Sequence, residues 1–549
     1  MPTIEVSYKD LCGLIGRKLS IEQLKDLILF AKGEIDAADG DLLKVDIKDA
    51  NRPHLWSAEG IAREIKGRYT SPGCPKYSIG KSSVVVNVDK KNKNVRPYTV
   101  CAIAKNLKVT QDVLSQLIQL QEKIHGTFGR NRKEVAMGVY DLNKIKSPIR
   151  FTTVKPDGIK FAPLDFQEKM TPKEILEKHP KGKEYGHLLK DCKEYPIFID
   201  SANEVLSIPP IINSNHTGKI TEKTKDVFIE CSGFNFKFLM PALNVIVSAL
   251  YDRGAKIESV KVVYPDQTIV TPNMEPKKAF VDMDYANKIS GLNLTSSDAV
   301  KLLKKSMYNP VVKGKRIEVE YPAYRQDILH QRDIVEDVII SYGFNNIEPV
   351  IPKVNTVGNS DEREEYSNKI SGIMSELGFQ GVLSYTLTNK DNLFGKMNVK
   401  EEQIVEIENF VSLNWNVFRN WMLPSLMEFL SNNQHVSYPQ NIFEIGDVVL
   451  IDEKEETKTR TVRKIVAVTS DSRINYQNVS SVLDALMNKM NLSYKLVKSK
   501  HSSFIEGRVA NVVAKNKVIG FVGEIHPSVL KNWKLEMPCA AFEINLEGV

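Results

Sequence analysis

The sequence predicts a multidomain α+β protein, and three observations predict it. First, 549 residues suggest about three to four domains at roughly 150 residues each. Second, amphipathic segments of helical period mix along the chain with short runs that alternate apolar and polar residues. Third, two polar or proline-bearing breaks, DKKNKNVRP at 89–97 and EPVIPKV at 348–354, interrupt that pattern. Apolar residues make up 42% and charged residues 26%, the balance of a water-soluble chain with real cores. The excess of 75 basic over 68 acidic residues leaves +7, which permits a polyanionic partner without requiring one. Six scattered cysteines with no CxxC or Cys/His cluster read as reduced thiols, not as a disulfide framework or zinc site. No apolar run reaches about 18 residues, and the start lacks a charged and apolar leader, so the expectation is a cytoplasmic protein with no membrane partner.

Residues 1–95 read as a small α+β domain. IEVSYKDLCGLIG opens with alternation. LSIEQLKDLILFAKG has helical period, with Ser20 as N-cap and Gly33 just past the end. LLKVDI is a strand, Asn51-Arg52-Pro53 a turn, and Ser57 with Glu59 starts the next helix. Arg52 and His54 read as structural turn residues.

Residues 96–268 form a second domain. PYTVCAIAKNL is strand-like, and Thr110 caps a long amphipathic helix ending in Arg130-Asn131-Arg132-Lys133. That basic cluster reads either as a solvated helix end favoured by the macrodipole or as a rest for an RNA backbone. EVAMGVYDL and PIRFTTVKP are strands, and Thr171-Pro172-Lys173-Glu174 is a capping box with proline at N1. In VLSIPPIINSNHTGKITEKTKDVFIECSGFNF the double proline kinks a strand, and the Asn-Ser-Asn-His-Thr-Gly run is irregular. DVFIECSGFNF is a strand on which Glu230 and Ser232 share one face, with Asn213 and Ser214 in the preceding loop. A carboxylate in so apolar a strand is rarely buried without a partner; an edge-strand Glu facing water is the plain alternative.

Residues 269–352 carry YPAYRQDILHQRDIVEDVIISYGFNNI. Asp333, Glu336 and Asp337 fall at i, i+3 and i+4 of a helix, with Asp327 and His330 just before them. At ~5 Å and an effective dielectric of ~20, each carboxylate pair repels by roughly 3 kcal/mol before screening. A cation answers that repulsion: Mg²⁺, which takes oxygen ligands and keeps several waters, or an Arg or Lys from a neighbour. A solvated acidic face is the third reading. His330 reads as a structural hydrogen-bonder.

Residues 355–549 read as one α+β domain with a largely antiparallel sheet. EEYSNKISGIMSELGF and SSVLDALMNKMNL are helices. FQGVLSYTL, QIVEIEN, NIFEIGDVVL, TVRKIVAVTS, ANVVAKNKVIGFVGEI and CAAFEINL are strands, and GEIHP marks a turn at Glu524 and His526.

The phrase PxYRxDIxHxxDIVEDVxxxYGxNNI, read here from Pro322 to Ile347, closely resembles the hallmark of the β subunit of phenylalanyl-tRNA synthetase in its archaeal and eukaryotic form. NRPxLxSxEGIARE and the PPIIN and FIE segments resemble the same family, and the likeness covers essentially the whole chain. It implies a small N-terminal α+β domain, an editing domain with a mixed sheet, a small helical or winged domain, and an inactive class II synthetase-like antiparallel sheet. It implies a Mg²⁺ site at Asp327, Asp333, Glu336 and Asp337 shared with an α subunit, and an editing pocket at Asn213, Ser214, Glu230 and Ser232 that hydrolyses tyrosine mischarged onto tRNA(Phe). The implied assembly is an α₂β₂ phenylalanine–tRNA ligase, with ATP as substrate of the complex and tRNA(Phe) as partner. Three positions depart from the family's pattern: Ser232 replaces a usual Thr, Phe234 a common second Thr, and Gly218 a frequent Arg. The adenylating arginines are missing as well. Ile442 stands where an active class II phrase has Arg, and no Arg occurs from Gly520 to Val549.

Overall fold

A computed structural model describes residues 3–547, which divide into two compact units, residues 1–351 and 352–549. Among the described residues the first unit holds three sheets around four apolar clusters, and no helix is long and apolar enough to cross a membrane. The chain opens with strand Thr3–Ser7 and helix Tyr8–Ile15, capped by Ser7. Helix Ile21–Ile28 has the expected N-cap at Ser20, completed as a capping box by Gln23, but its exit differs from expectation: Lys32 takes the left-handed conformation and Gly33 begins the next strand. Helix Ala58–Thr70, capped by Ser57, is the hub of this unit. Its Glu59 pairs with Arg253, Arg63 with Asp252 at 2.6 Å, and Arg68 donates to Ser306 Oγ at 3.1 Å.

The largest element is a ten-stranded mixed sheet. Its main path runs from Ile212–Asn213 through Val205–Ile208, Tyr195–Ile199, Ile149–Val154, Ile79–Val88, Lys256–Val263, Tyr98–Lys105 and Val227–Gly233 to Val135–Asp141. Strand Ile79–Val88 lies on the N-terminal side of the polar break at 89–97, yet it pairs in parallel with Lys256–Val263 and Ile149–Val154 and so belongs to this sheet. Right-handed strand twist accumulates over so many strands and curls the sheet until its two ends face each other. Tyr140 on the last strand reaches Ser207 near the first, and Asn213 Nδ2 donates to Val139 O at 3.5 Å. Helix Phe236–Asp252 packs under the sheet with eleven buried residues.

Residues 277–342 add a three-stranded antiparallel sheet, Lys277–Asp282, Arg316–Tyr321 and Asn309–Lys313, covered by helices Met283–Ser290, Ser296–Lys305 and Gln331–Tyr342. The second unit is a seven-stranded sheet, antiparallel except where Gln380–Gly381 runs parallel to Gln440–Ile451. Two expected strands shrink there: FQGVLSYTL yields only Gln380–Gly381 and Leu387–Thr388, and QIVEIEN gives one isolated bridge at Glu406. His526 caps helix Pro527–Asn532, which is the turn expected of GEIHP.

Candidate functional site

The seam where the curled sheet meets itself lines a half-open cavity of about 170 Å³. Apolar Met137 and Ile211 line it together with Glu230, Ser207, His125 and Arg132. A space of about 150 Å³ admits benzene, so this cavity is of the size of a phenyl ring. Glu230 sits mid-strand in Val227–Gly233, opposite Cys101 on one neighbour and Gly138 on the other, and is 2% exposed. Its Oε1 takes a hydrogen bond from Tyr140 Oη at 3.1 Å, and its Oε2 is buried without a partner. Burial pushes the carboxyl up to about 8, against the pull of Arg96 and the Tyr140 hydrogen bond. An orphaned buried oxygen in a cavity wall is an unmet acceptor, worth ~1–3 kcal/mol to whatever donor fills it.

Two further groups shape the cavity. Arg132 is buried; its Nη1 donates to Pro210 O at 3.2 Å and Ile211 O at 2.9 Å, and its Nη2 pairs with Glu122 at 2.8 Å. It clamps the cis Pro209-Pro210 loop that forms one wall. Neither reading of the basic cluster foresaw that inward turn, which follows from three successive left-handed residues, Arg130, Asn131 and Arg132. Glu122 is opposed by its burial, yet His125 and Arg132 hold it down to about 2. His125 Nε2 accepts from Met137 N at 2.8 Å while its Nδ1 faces Glu122 at 3.5 Å, and His179 has both ring nitrogens on the main chain, Nδ1 accepting from Lys181 N at 3.1 Å and Nε2 lying 3.2 Å from Leu164 O.

Of the four expected pocket residues, Asn213 and Glu230 line the cavity. Ser214 caps the single turn Asn215–Gly218, accepting from His216 N and Thr217 N, and that turn replaces the expected irregular run. Ser232 Oγ accepts from Arg96 Nε at 3.1 Å, which fastens the strand end to the Arg132–Lys133 turn. Phe234 is exposed under the Arg96 guanidinium, away from the cavity, so that departure leaves the pocket intact. At Gly218 a Cβ would collide with Asn213 Cβ, so glycine there sets the Asn213 position. Sequence reasoning missed Tyr140, Ser207, Arg132, Glu122 and His125. The one available signal was Gly138 two residues before Tyr140: a Cβ at Gly138 would collide with Tyr140 Oη, so the ring lies back along its own strand toward Glu230.

Asp327, Asp333, Glu336 and Asp337, expected to share a Mg²⁺ with an α subunit, do not converge on one point within this chain. Asp327 and Asp337 are buried, and the Arg325 guanidinium bridges them at 2.5 and 2.8 Å. Arg52 reaches the same two carboxylates at 4.0 and 3.6 Å and Glu64 at 3.3 Å, while Tyr308 Oη donates to Asp337 at 2.6 Å. Asp333 is turned back to close the helix start, accepting from Leu329 N and His330 N at 2.7 Å each, as a capping box with His330. Glu336 faces outward and pairs with Lys32 at 2.8 Å. Among the described residues no group of three or more His, Cys, Asp or Glu is placed to hold a metal ion. The physical reason is angular: residues 336 and 337 diverge by about 100° round the helix, and the first-turn N–H groups claim residue 333. Within this chain the four carboxylates therefore do not form a common Mg²⁺ site. The NRP turn, read as merely structural, supplies the counter-ion.

Family models match three successive stretches: the B3/4 domain at residues 91–263, the tRNA synthetase B5 domain at 279–344, and the phenylalanyl tRNA synthetase beta chain CLM domain at 347–546. A curled sheet with a ligand-sized seam, followed by those two modules, defines the class as a non-identical subunit of an aminoacyl-tRNA synthetase. The chain is 50% identical to the phenylalanine–tRNA ligase beta subunit of Pyrococcus horikoshii over 100% of this chain and 99% of that one, and 39% identical to the Methanocaldococcus jannaschii counterpart over the full length of both. A crystal structure of an N-terminal fragment of the Pyrococcus horikoshii phenylalanyl-tRNA synthetase beta subunit superposes with TM-score 0.61 at 52% identity, covering 62% of this chain and 100% of the fragment. The chain belongs to the phenylalanine–tRNA ligase β-subunit family.

Proposed function

We propose that this chain is the β subunit of a phenylalanine–tRNA ligase that joins phenylalanine to tRNA(Phe), and that its own chemistry is proofreading. The α subunit, in an α₂β₂ assembly, carries adenylation with ATP and its accompanying Mg²⁺. Two sequence features support that division: Ile442 occupies the phosphate-neutralising position, and no Arg follows Gly520. The buried arginine of the second unit, Arg419, is spent on Glu444 at 2.9 Å.

One observation carries the proofreading reading: the unpartnered Glu230 Oε2 in a cavity of the size of a phenyl ring. Tyrosine exceeds phenylalanine by a hydroxyl, and an apolar synthetic site rejects an added hydroxyl only weakly, by about 10²-fold. The cavity inverts the test. A tyrosyl ring donates its hydroxyl to Glu230 Oε2, and a phenylalanyl ring leaves that oxygen orphaned. Asn213, at the strand edge of the same wall, orients the ester or its attacking water. With His125 held between Met137 N and Glu122, and His179 on the main chain, hydrolysis rests on an oriented water and not on a protein nucleophile. The test is deacylation of tyrosyl-tRNA(Phe) by the full complex. Glu230→Ala should slow it by about 10–100-fold with phenylalanine charging unchanged; clearance at the normal rate refutes the assignment.

A further inference from the structure

Tyr140 is wholly buried among aromatic neighbours, with its ring 6.0 Å from that of Phe228. Its Oη lies 2.7 Å from Ser207 Oγ and 3.1 Å from Glu230 Oε1. A phenol has one hydrogen, so Tyr140 donates to one of these oxygens and accepts from the other. A proton on Oε2 would be a buried donor with no acceptor among the protein's own groups, which leaves two arrangements for Tyr140 between its neighbours. With Glu230 ionised, Ser207 donates to Tyr140 and Tyr140 donates to Oε1. With Glu230 protonated, Oε1 donates to Tyr140 and Tyr140 donates to Ser207. In both arrangements Oε2, the oxygen without a partner, carries no hydrogen.

We propose that Tyr140 and Ser207 hold the Glu230 proton on Oε1, so that Oε2 accepts a hydrogen bond from a phenol hydroxyl whether or not the carboxyl is ionised. The inference rests on reading the cavity as a site for a tyrosyl ester and adds the positioning residues that make its selectivity independent of pH. The need arises from burial. A carboxyl pushed up to about 8 is largely neutral near pH 7, and a neutral acid free to protonate either oxygen presents a hydroxyl as readily as an acceptor. The neighbours do not supply that control. The Cys101 and Cys231 thiols and the Tyr140 phenol are pushed well up by burial and stay protonated, and Arg96, lowered by burial to about 10, stays a cation. Across the cavity His125 is pushed down by burial, Glu122 is already ionised, and His179 keeps Nδ1 as an acceptor for Lys181 N. The charged Arg132, Lys181 and Asp165 complete the wall.

The test uses the full chain assembled with its α subunit and two probes that cannot be hydrolysed: 3′-amino-3′-deoxyadenosine bearing tyrosine or phenylalanine in amide linkage. The ratio of their affinities is measured from about pH 6 to about pH 9.5. In the wild type the tyrosyl probe should be preferred by a ratio that stays constant within about twofold. Tyr140→Phe should lose about tenfold of that preference at the acid end and recover it as the pH rises. Ser207→Ala should fall in the same direction by less, and it decides the matter should Tyr140→Phe fail to fold. A pH-independent ratio in both variants overturns the inference, because a purely packing role for Tyr140 would not move a titration. Wild-type preference that fades on acidification overturns it too, as does no preference at any pH. If the preference and its pH behaviour are as stated but tyrosyl-tRNA(Phe) is not hydrolysed, the inference stands and the proofreading reading falls.

Discussion

Replacing Arg325 by Met should destabilise the first unit by about 3–5 kcal/mol at neutral pH, the usual consequence of removing one partner from a buried ionic network. The geometry supports that range. Arg325 contacts Asp327 at 2.5 Å and Asp337 at 2.8 Å. At ~3 Å and an effective dielectric of ~20 each attraction is roughly 5 kcal/mol, most of it offset by desolvation of the guanidinium. Arg52 stays behind at 3.6 and 4.0 Å and compensates only in part. Both carboxyls oppose their own burial and are held below the ordinary value of 3.8 by Arg325 and Arg52. Their contribution in the wild type is therefore full above that value and is lost as the pH falls through the lower folded values. In the variant, burial acts on Asp337 with little opposition and raises it, so folding takes up a proton. The gap between wild type and variant should narrow as the pH falls from neutral toward about 4. Asp337→Asn added to Arg325→Met should recover at least half of the loss. Urea denaturation suits the measurement, since it leaves ion pairs unscreened. Trp56, the buried tryptophan of this unit, reports it once Trp415, Trp421 and Trp533 are changed to Phe. A loss below about 1 kcal/mol, or a gap that ignores pH, refutes the reasoning.

Adding or chelating Mg²⁺ should leave the wild-type urea midpoint of the first unit unchanged, because its four acids already have partners in the chain; a clear stabilisation by Mg²⁺ would show that they retain a metal site. Gly218→Ala forces a Cβ into Asn213 and should reduce tyrosyl-tRNA(Phe) clearance more than it reduces phenylalanine charging, as read by parallel deacylation and charging assays. Arg132→Gln frees the carbonyls of Pro210 and Ile211. It should raise KM for deacylation and lower stability by about 1–3 kcal/mol, measured by steady-state kinetics and urea unfolding.

Much of the architecture was legible because it is local. Ser20, Ser57, Thr110, Thr171 and Thr295 each cap the helix they precede, since a side-chain oxygen meets first-turn N–H groups within three residues. The alternation in NIFEIGDVVL and TVRKIVAVTS likewise emerges as one long hairpin, Gln440–Ile451 with Thr459–Ser470. Short strands such as those within FQGVLSYTL fail for the opposite reason: alternation names a candidate, and only a neighbour at the right distance makes it a strand.

The chain's order of residues by itself determined which helices form, which strands can pair, and that a carboxylate at 230 stands in an apolar strand. Only the tertiary structure decided what each charge meets. Glu230 gains Tyr140 because a long sheet curls and glycine at 138 lets the ring lie flat, and Asp337 gains Arg52 from a turn nearly three hundred residues earlier. Helical and capping hydrogen bonds reach three or four residues and so are written in local spacing. A buried charge is satisfied by whatever the fold brings within about 4 Å, and no spacing along the chain encodes that.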